Sequence, residues 1–352
     1  MKLESREWSR FNIGGKEAIF NVTGTKTTHP SKLLATGKTP RITCAATNNA
    51  VDGFYKNKQS EKGGVITVDS ATIGYMSFQE YDFIATDHVE KIKQKEDKKF
   101  NRYLGLFIIS CIQSAVKNKY SYGYKFSQFR IKKQKILLPI NENNEPNYPF
   151  MENYSKSIFQ AKEEKYVQYI KKVLEKLEYK KIVSLQEKEW REFGIEEVGE
   201  IHSGKDIYAN ERISGTTPYV SATAKNNGIG YYVGNDNKTL ASNSLSVNRN
   251  GSVGYSFYHP YKALFSNDCR NIKLHYKSEQ VGYFIANQIT KQKNKYNYGY
   301  KMGTGRLKRQ KILLPINDKE EPDYVYMEQY IKNIKVKKIK QYLDFKMKTD
   351  KN

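Results

Sequence analysis

The chain has 352 residues, with 60 Lys and Arg against 37 Asp and Glu, a formal net charge of +23 and a pI near 9.5. Hydrophobic residues at 38% and aromatics at 13% are enough for packed cores in two or three domains, which excludes a wholly disordered chain. The charge calls for a polyanionic partner, with nucleic acid ahead of an anionic membrane surface; a merely solvated Lys-rich exterior is the plain alternative.

The first candidate elements in chain order are EWSRF (Glu7 to Phe11), the TGKTP loop (Thr36 to Pro40), the pair Asn48-Asn49, a β-rich stretch from Val65 to Val68 and an IGY turn at Ile73 to Tyr75. The longest nearly apolar run, Tyr103 to Ile112, falls far short of the roughly 20 residues that span a bilayer. The opening MKLESREWSR lacks the apolar core of a secretory signal, so the expected location is cytoplasmic, with no membrane partner. Next come a Tyr-x-Tyr-Gly-Tyr-Lys turn (Tyr120 to Lys125), a basic segment read as a strand, and ILLPI, whose Pro139 suits a strand end or sheet edge. From Met151 to about Val183 there is no Gly or Pro, and Tyr166, Val167, Ile170, Val173, Leu174 and Leu177 mark the seam of a long amphipathic helix.

The order then repeats. Asn118 to Ile140 and Asn294 to Ile316 are identical at 16 of 23 positions with an offset of 176. EWREF (Glu189 to Phe193), SGTTP (Ser214 to Pro218), Asn226-Asn227, Leu245 to Val247 and VGY (Val253 to Tyr255) echo the first half at offsets up to 182. A period near 180 is too long for a solenoid and denotes duplicated domains. The second helical stripe, Met327 to about Met347, carries Met327, Tyr330, Ile331, Ile334, Ile339, Tyr342, Leu343 and Phe345, and reads as the shorter helix. Each stripe packs either on the other helix or on its own domain.

Catalytic machinery is sparse. No phosphate loop of the GxxxxGK[ST] type, amino-methyltransferase motif or nucleophile constellation around the five histidines is present. Cys44, Cys111 and Cys269 are widely spaced, so neither a disulfide framework nor a metal site is expected. Pro322-Asp323 followed by Asp344-Phe345-Lys346 loosely fits a Mg²⁺-dependent nuclease, which stays an alternative beside a stand-alone DNA-binding protein.

Binding chemistry is richer. Tyr122 and Lys125 followed by Arg130, Lys132, Lys133 and Lys135, and Tyr298 and Lys301 followed by Arg306, Lys308, Arg309 and Lys311, interleave cations and aromatics around a glycine. That pattern suits close approach to a sugar-phosphate backbone; a solvated charged segment is the alternative. The Thr/Gly/Pro loops with Asn48 and Asn226 offer amides for phosphates or base edges, or are ordinary turns.

The duplicated recognition-type domain, the [KR]QKILLPIN strand, the EPNYPFM and EPDYVYM turns and the long helix that follows together resemble the DNA-specificity (S) subunit of type I restriction-modification systems, closest in flavour to type IIB S subunits. The likeness runs from Glu7 to about Met347, although ILLPIN replaces the Pro-rich strand and Glu-Gln pair of the type I pattern. It implies an α/β (α+β) fold with two similar target recognition domains, residues 1–150 and 184–325. Two long antiparallel helices, 151–183 and 326–352, would form a coiled coil that separates them. It also implies a non-catalytic chain without a cofactor, whose partners are double-stranded DNA, DNA adenine methyltransferase subunits and a restriction nuclease subunit, separate or fused to the methyltransferase. Those partners use S-adenosylmethionine and Mg²⁺, and in type I systems ATP.

Because positions shared by both copies cannot distinguish two half-sites, base reading is expected where the copies differ. The candidates are Arg41, Thr47, Asp52, Ser127 and Gln128 in the first domain and Tyr219, Lys225, Arg249, Asn250 and Thr304 in the second.

Overall fold

A computed structural model describes residues 3–95, 100–297 and 299–349. The chain divides into two compact units, residues 1–166 and 167–352.

In the first unit the elements run β1 (Trp8–Asn12), β2 (Phe20–Gly24), β3 (Thr36–Ile42), β4 (Val51–Tyr55), β5 (Val65–Asp69), β6 (Met76–Gln79), β7 (Ile84–Ala85), β8 (Val89–Gln94), α1 (Arg102–Val116), α2 (Gln128–Lys133), β9 (Lys135–Pro139) and α3 (Tyr148–Glu175), whose last turns belong to the second unit. They form a four-stranded antiparallel sheet β2-β8-β5-β6, a three-stranded sheet β4-β3-β7 and a two-stranded ribbon β1-β9. The second unit continues with β10 (Trp190–Gly194), α4 (Ile195–Val198), β11 (Gly199–Ser203), β12 (Ser214–Val220), β13 (Ile229–Val233), β14 (Ser244–Asn248), β15 (Ser256–His259), β16 (Leu264–Phe265), β17 (Cys269–Leu274), α5 (Glu279–Lys291), α6 (Thr304–Arg309), β18 (Lys311–Pro315) and α7 (Tyr324–Thr349). Its sheets, β11-β17-β14-β15, β13-β12-β16 and β10-β18, reproduce the first unit strand for strand.

Helix α1 starts where Asn101 Oδ1 accepts the Leu104 N–H at 2.9 Å, supplying an orphan first-turn donor with a partner. Its Leu104, Phe107, Ile108 and Ile112 lie on one face and are buried with Phe20, Ile66, Val68 and Ile92 of the four-stranded sheet. In the second unit Val281, Phe284, Ile285 and Ile289 do the same with Leu245, Val247 and Ile272. Burying each such side chain is worth about 1.5–3 kcal/mol. One glycine per helix permits the close approach: a Cβ on Gly105 would stand 2.5 Å from the Phe78 ring, and one on Gly282 2.3 Å from the Tyr258 ring.

The ILLPI runs are strand ends, as the prolines require. Ile136 and Leu138 are buried while Leu137 between them is 50% exposed, and Ile312, Leu314 and Leu313 (46%) repeat the alternation. Pro139 pairs opposite Trp8 and Pro315 opposite Trp190. The EPN and EPD turns then cap the long helices: Asn147 Oδ1 accepts from Phe150 N (3.1 Å) and Asp323 Oδ1 from Tyr326 N (2.9 Å).

The long helices differ from expectation in extent. Helix α3 begins at Tyr148 and stops at Glu175, not near Val183. Beyond it the backbone is held by α7: Asn333, 7% exposed, donates to the Lys180 carbonyl (2.7 Å) and accepts from the Lys180 N–H (3.1 Å). Gln329 and Tyr326 donate to the carbonyls of Glu178 (2.9 Å) and Val183 (3.0 Å). These bonds replace the helical ones that residues 176–183 would otherwise make. At 26 residues against 28, α7 is the shorter helix, as expected, but by only two residues. On α3, Ile170 is buried and Tyr166 exposed; on α7, Met327, Asn333 and Val336 are buried while Ile334 and Phe345 are exposed. Among the described residues no helix is long and apolar enough to cross a membrane.

Candidate nucleic-acid interface

Each Tyr-Gly-Lys turn folds into the same small device. In the first unit Tyr120 and Tyr124 stack at 5.7 Å, and Arg130 lays its guanidinium 3.8 Å above Tyr124 while Nη1 donates to the Lys125 carbonyl at 2.7 Å. In the second, Tyr296 and Tyr300 stack at 5.8 Å, Arg306 sits 3.9 Å above Tyr300, and its Nη1 donates to the Lys301 carbonyl at 2.7 Å. A buried glutamine anchors each turn, with the Tyr296 hydroxyl donating to Gln310 Oε1 at 2.5 Å and Tyr120 meeting Gln134 Oε1 at 3.5 Å. The cation–π contact, about 0.5–1 kcal/mol at an exposed site, holds a guanidinium that keeps most of its five donors beyond the one bonded to the carbonyl. Tyr122 is 79% exposed with Lys125 Nζ 5.5 Å from its ring. Its counterpart Tyr298 lies outside the described residues.

The basic segments are helical where a strand was expected. Arg130, Lys132 and Lys133 lie in the last turn of α2, and Arg306, Lys308 and Arg309 in the last turn of α6. Only Lys135 and Lys311 open the strands β9 and β18. Cations near a helix C-terminus complement its dipole. Lys133 Nζ lies 4.2 Å from the exposed Phe129 ring, while Lys308 and Lys311 pair with Glu196 (2.8 Å) and Glu192 (3.5 Å).

The base-reading candidates separate into three groups. Several are spoken for: Arg41, 7% exposed, is ion-paired with Asp52, and Tyr219, 3% exposed, accepts the Ile207 N–H on its hydroxyl at 3.0 Å. Thr47, Asn48, Lys225 and Asn226 are exposed at the two Asn turns. Asn48, Asn49, Asn226 and Asn227 all adopt positive φ, which asparagine tolerates better than most residues. Asn48 Nδ2 donates to the Val51 carbonyl of its own turn, and Asn49 and Asn227 reach the carbonyls of Phe78 (2.9 Å) and Tyr258 (3.2 Å), so these pairs are at least turn-forming.

The third group gathers around the first residues of α2 and α6. Ser127 precedes Gln128, whose Nε2 donates to Glu90 Oε2 at 2.6 Å and whose Oε1 accepts from Lys132 Nζ at 3.1 Å; Ser70 Oγ donates to Glu90 Oε1 at 3.1 Å. In the second unit Thr304 Oγ1 accepts from Arg270 Nε at 2.6 Å, and Arg249 and Asn250 approach Asp268 at 3.6 and 3.2 Å. Ser70, Glu90 and Arg270 escaped the sequence reading. The signal was there: at the aligned positions of β8 and β17 the two copies carry opposite charges.

The nuclease pattern does not assemble. Asp323 caps α7 and pairs with Lys188 at 2.8 Å, whereas Asp344 lies 21 residues further along that helix, about 31 Å away. Among the described residues no group of three or more His, Cys, Asp or Glu is placed to hold a metal. Burial pushes the thiols of Cys44, Cys111 and Cys269 up to about 12, which keeps them protonated and unreactive.

Two units of one α/β fold, each presenting the same cationic Tyr-Arg turn, define a duplicated two-domain protein. The sequence pattern of the type I restriction modification DNA specificity domain matches residues 6–168 and, a second time, residues 187–343. The chain belongs to that family: it is a specificity subunit of a restriction-modification system, the component that recognises DNA sequence. It is similar to the specificity subunit S.BcgI of a type II restriction enzyme from Heyndrickxia coagulans, 37% identical over 300 residues that cover 83% of this chain and 85% of that one. Solved structures similar to it are the S subunit of the M. genitalium type I restriction-modification system and the HsdS subunit from Thermoanaerobacter tengcongensis. The first is 14% identical, with 99% and 94% of the two chains covered and a TM-score of 0.48; the second is 12% identical, with 95% and 91% covered and a TM-score of 0.32. As a specificity subunit the chain is non-catalytic and has no cofactor of its own.

Proposed function

We propose that each unit reads one half of an interrupted site in duplex DNA, with the Tyr-Arg turns and basic helices on the phosphates and with α3, which runs from one unit into the next, setting the distance between half-sites. The observation that carries this reading is the recurrence of one Tyr-Arg-Lys geometry in both units. Phosphate contacts fall to Tyr122, Lys125, Arg130, Lys132, Lys133 and Lys135 and to their counterparts Tyr298, Lys301, Arg306, Lys308, Arg309 and Lys311. Methylation of adenine and cleavage belong to partner subunits, a methyltransferase using S-adenosylmethionine and a nuclease using Mg²⁺; ATP enters if the system is of type I.

The test is competition among duplex DNA, RNA and acidic vesicles, run on the wild type and on a K132Q/K133Q/K135Q variant. Duplex DNA should win. Each lost phosphate contact should lower the slope of log K against log salt by about 0.9, so the triple variant should lose about 2.7 and weaken for all sequences alike. All three lysines are exposed, so their replacement should leave stability within about 0.5 kcal/mol. An unchanged slope would remove the phosphate role, and equal binding to vesicles or RNA would remove the function.

A further inference from the structure

The two units match position by position around a polar trio, and the trio changes sign. In the first unit Val68 of β5 pairs opposite Glu90 of β8; in the second Val247 of β14 pairs opposite Arg270 of β17. Two residues beyond each valine stand Ser70 and Arg249, whose backbone N–H groups donate to the equivalent carbonyls of His88 (2.9 Å) and Asp268 (2.8 Å). The third member is the first residue of the short basic helix, Gln128 in α2 and Thr304 in α6, each bonded to the β8 or β17 side chain. One location in the fold thus holds Ser, Glu and Gln, with formal charge −1, in one unit and two Arg and a Thr, with formal charge +2, in the other.

Core packing does not call for this difference, since the nearest apolar strand positions correspond, Ile66 and Val68 to Leu245 and Val247, and Ile92 to Ile272. The arginine version also carries a cost. Burial, and then the neighbouring Arg249, hold the Arg270 guanidinium below its ordinary value, and Arg249 Nε has no hydrogen-bond partner. Arg249 keeps 30% of its side chain exposed, and Asp268 at 3.6 Å is outside hydrogen-bonding range. Arg270 is buried, with Nε bonded to Thr304 Oγ1 and Nη1 to the Asn267 and Cys269 carbonyls, so it is Arg249 that has donors to spare for an acceptor from outside. On the first unit a carboxylate has about four acceptor positions, of which Ser70 and Gln128 take two. Gln128 is itself the first residue of α2, the helix assigned to the phosphates, and its Oε1 accepts from Lys132 Nζ of the same helix.

We propose that these trios are specificity-determining contacts of the two half-sites: Glu90 with Gln128 takes a donating base edge, the exocyclic amine of adenine or cytosine, and Arg249, positioned beside the buried Arg270, takes an accepting edge, O6 and N7 of guanine. The inference rests on the DNA-reading function above and adds residues and a base class for each half-site. Carboxylates accept from amines, amides match adenine, and an arginine fork matches guanine.

The experiment uses the full chain with its partner subunits and measures binding to duplexes randomised at each position of the recognised site. R249Q and R249K should each lower discrimination at a single base pair of one half-site by about tenfold or more, with the other half-site intact. E90Q should do so at one base pair of the opposite half-site. Arg249 and Glu90 are partly exposed, so these variants avoid the buried Arg270; a folded-state check by circular dichroism accompanies them. Because a phosphate oxygen is also an acceptor, the salt slope separates the sources. Uniform weakening of R249Q on every sequence, with a slope lower by about 0.9, means a phosphate contact and overturns the proposal. Wild-type preferences retained in both R249Q and E90Q overturn it as well, while leaving the DNA-reading function standing. A wild type without sequence preference would overturn both.

Discussion

His259 makes the second unit sensitive to acid in a way the first is not. The imidazole is fully buried on β15, with Nε2 2.9 Å from Ser246 Oγ and Nδ1 3.3 Å from the Tyr261 hydroxyl, and burial pushes it down from 6.5 to about 4. The equivalent position on β6 is Gln79, whose Nε2 donates to Thr67 Oγ1 at 3.0 Å without any titrating group. A histidine whose folded value lies below its unfolded one favours folding fully above about pH 6.5, and that contribution is lost as the pH falls towards 4. With these two values the loss is about 2 kcal/mol at pH 5 and approaches roughly 3 kcal/mol below pH 4. H259Q, copying the arrangement of the first unit, should abolish this part of the pH dependence. Urea unfolding of both proteins at pH 7.5 and pH 5.0 measures it, the two proteins being compared so that carboxylate titration cancels. If H259Q loses as much stability between the two pH values as the wild type, the buried neutral histidine is not the cause.

Asn333→Leu should cost about 2–4 kcal/mol, because it removes three hydrogen bonds, one of them from Gln329, and strands both backbone groups of Lys180; faster amide exchange at Lys180 is the specific sign, and unchanged protection there would contradict the clamp. Gly105→Ala and Gly282→Ala should each destabilise by about 1–3 kcal/mol through overpacking against Phe78 and Tyr258, read as a fall in urea midpoint, and a cost under about 0.5 kcal/mol would show that the helices can back away. Deleting seven residues within Lys162 to Lys176 shortens α3 by about 10 Å, close to three base-pair steps. The number of unspecified base pairs between half-sites should change while both half-sites persist, and an active deletion variant with the original spacing would show that α3 does not set the distance.

Much of this was legible in the sequence because the duplication acts as an internal control. The Pro-bounded strands, the Val65 to Val68 and Leu245 to Val247 strands and the Asn turns recur at matching positions, and local residue chemistry accounts for each. The basic segments were misread because α2 and α6 span under two turns, too short to show a helical period, and run straight into true strands. The end of α3 was invisible for a different reason: nothing between Lys176 and Val183 breaks a helix, and the competing hydrogen bonds come from Asn333, 153 residues away. Arg41 and Asp52 were both chosen as base readers because the copies differ there, yet they form an ion pair with each other across the β3-β4 pair. Charge alone cannot tell a side chain that faces a ligand from one that has already found its counterion.

The ribbons β1-β9 and β10-β18 have an evolutionary consequence. The chain passes into the body of each unit along one strand and leaves along the strand paired to it, Trp8 beside Pro139 and Trp190 beside Pro315. The four- and three-stranded sheets and the trio of opposite charge hang between two adjacent points of attachment. An in-frame replacement of residues 13–134 or 195–310 should therefore preserve the register of the flanking ribbon where the new body keeps the helix face on which the following long helix packs, as Phe107 does for Tyr154 and Phe284 for Tyr330. The repeated Lys-Ile-Leu-Leu-Pro segments make the same strand pairing in both units, so they are junctions at which one body could be exchanged for another without a new ribbon.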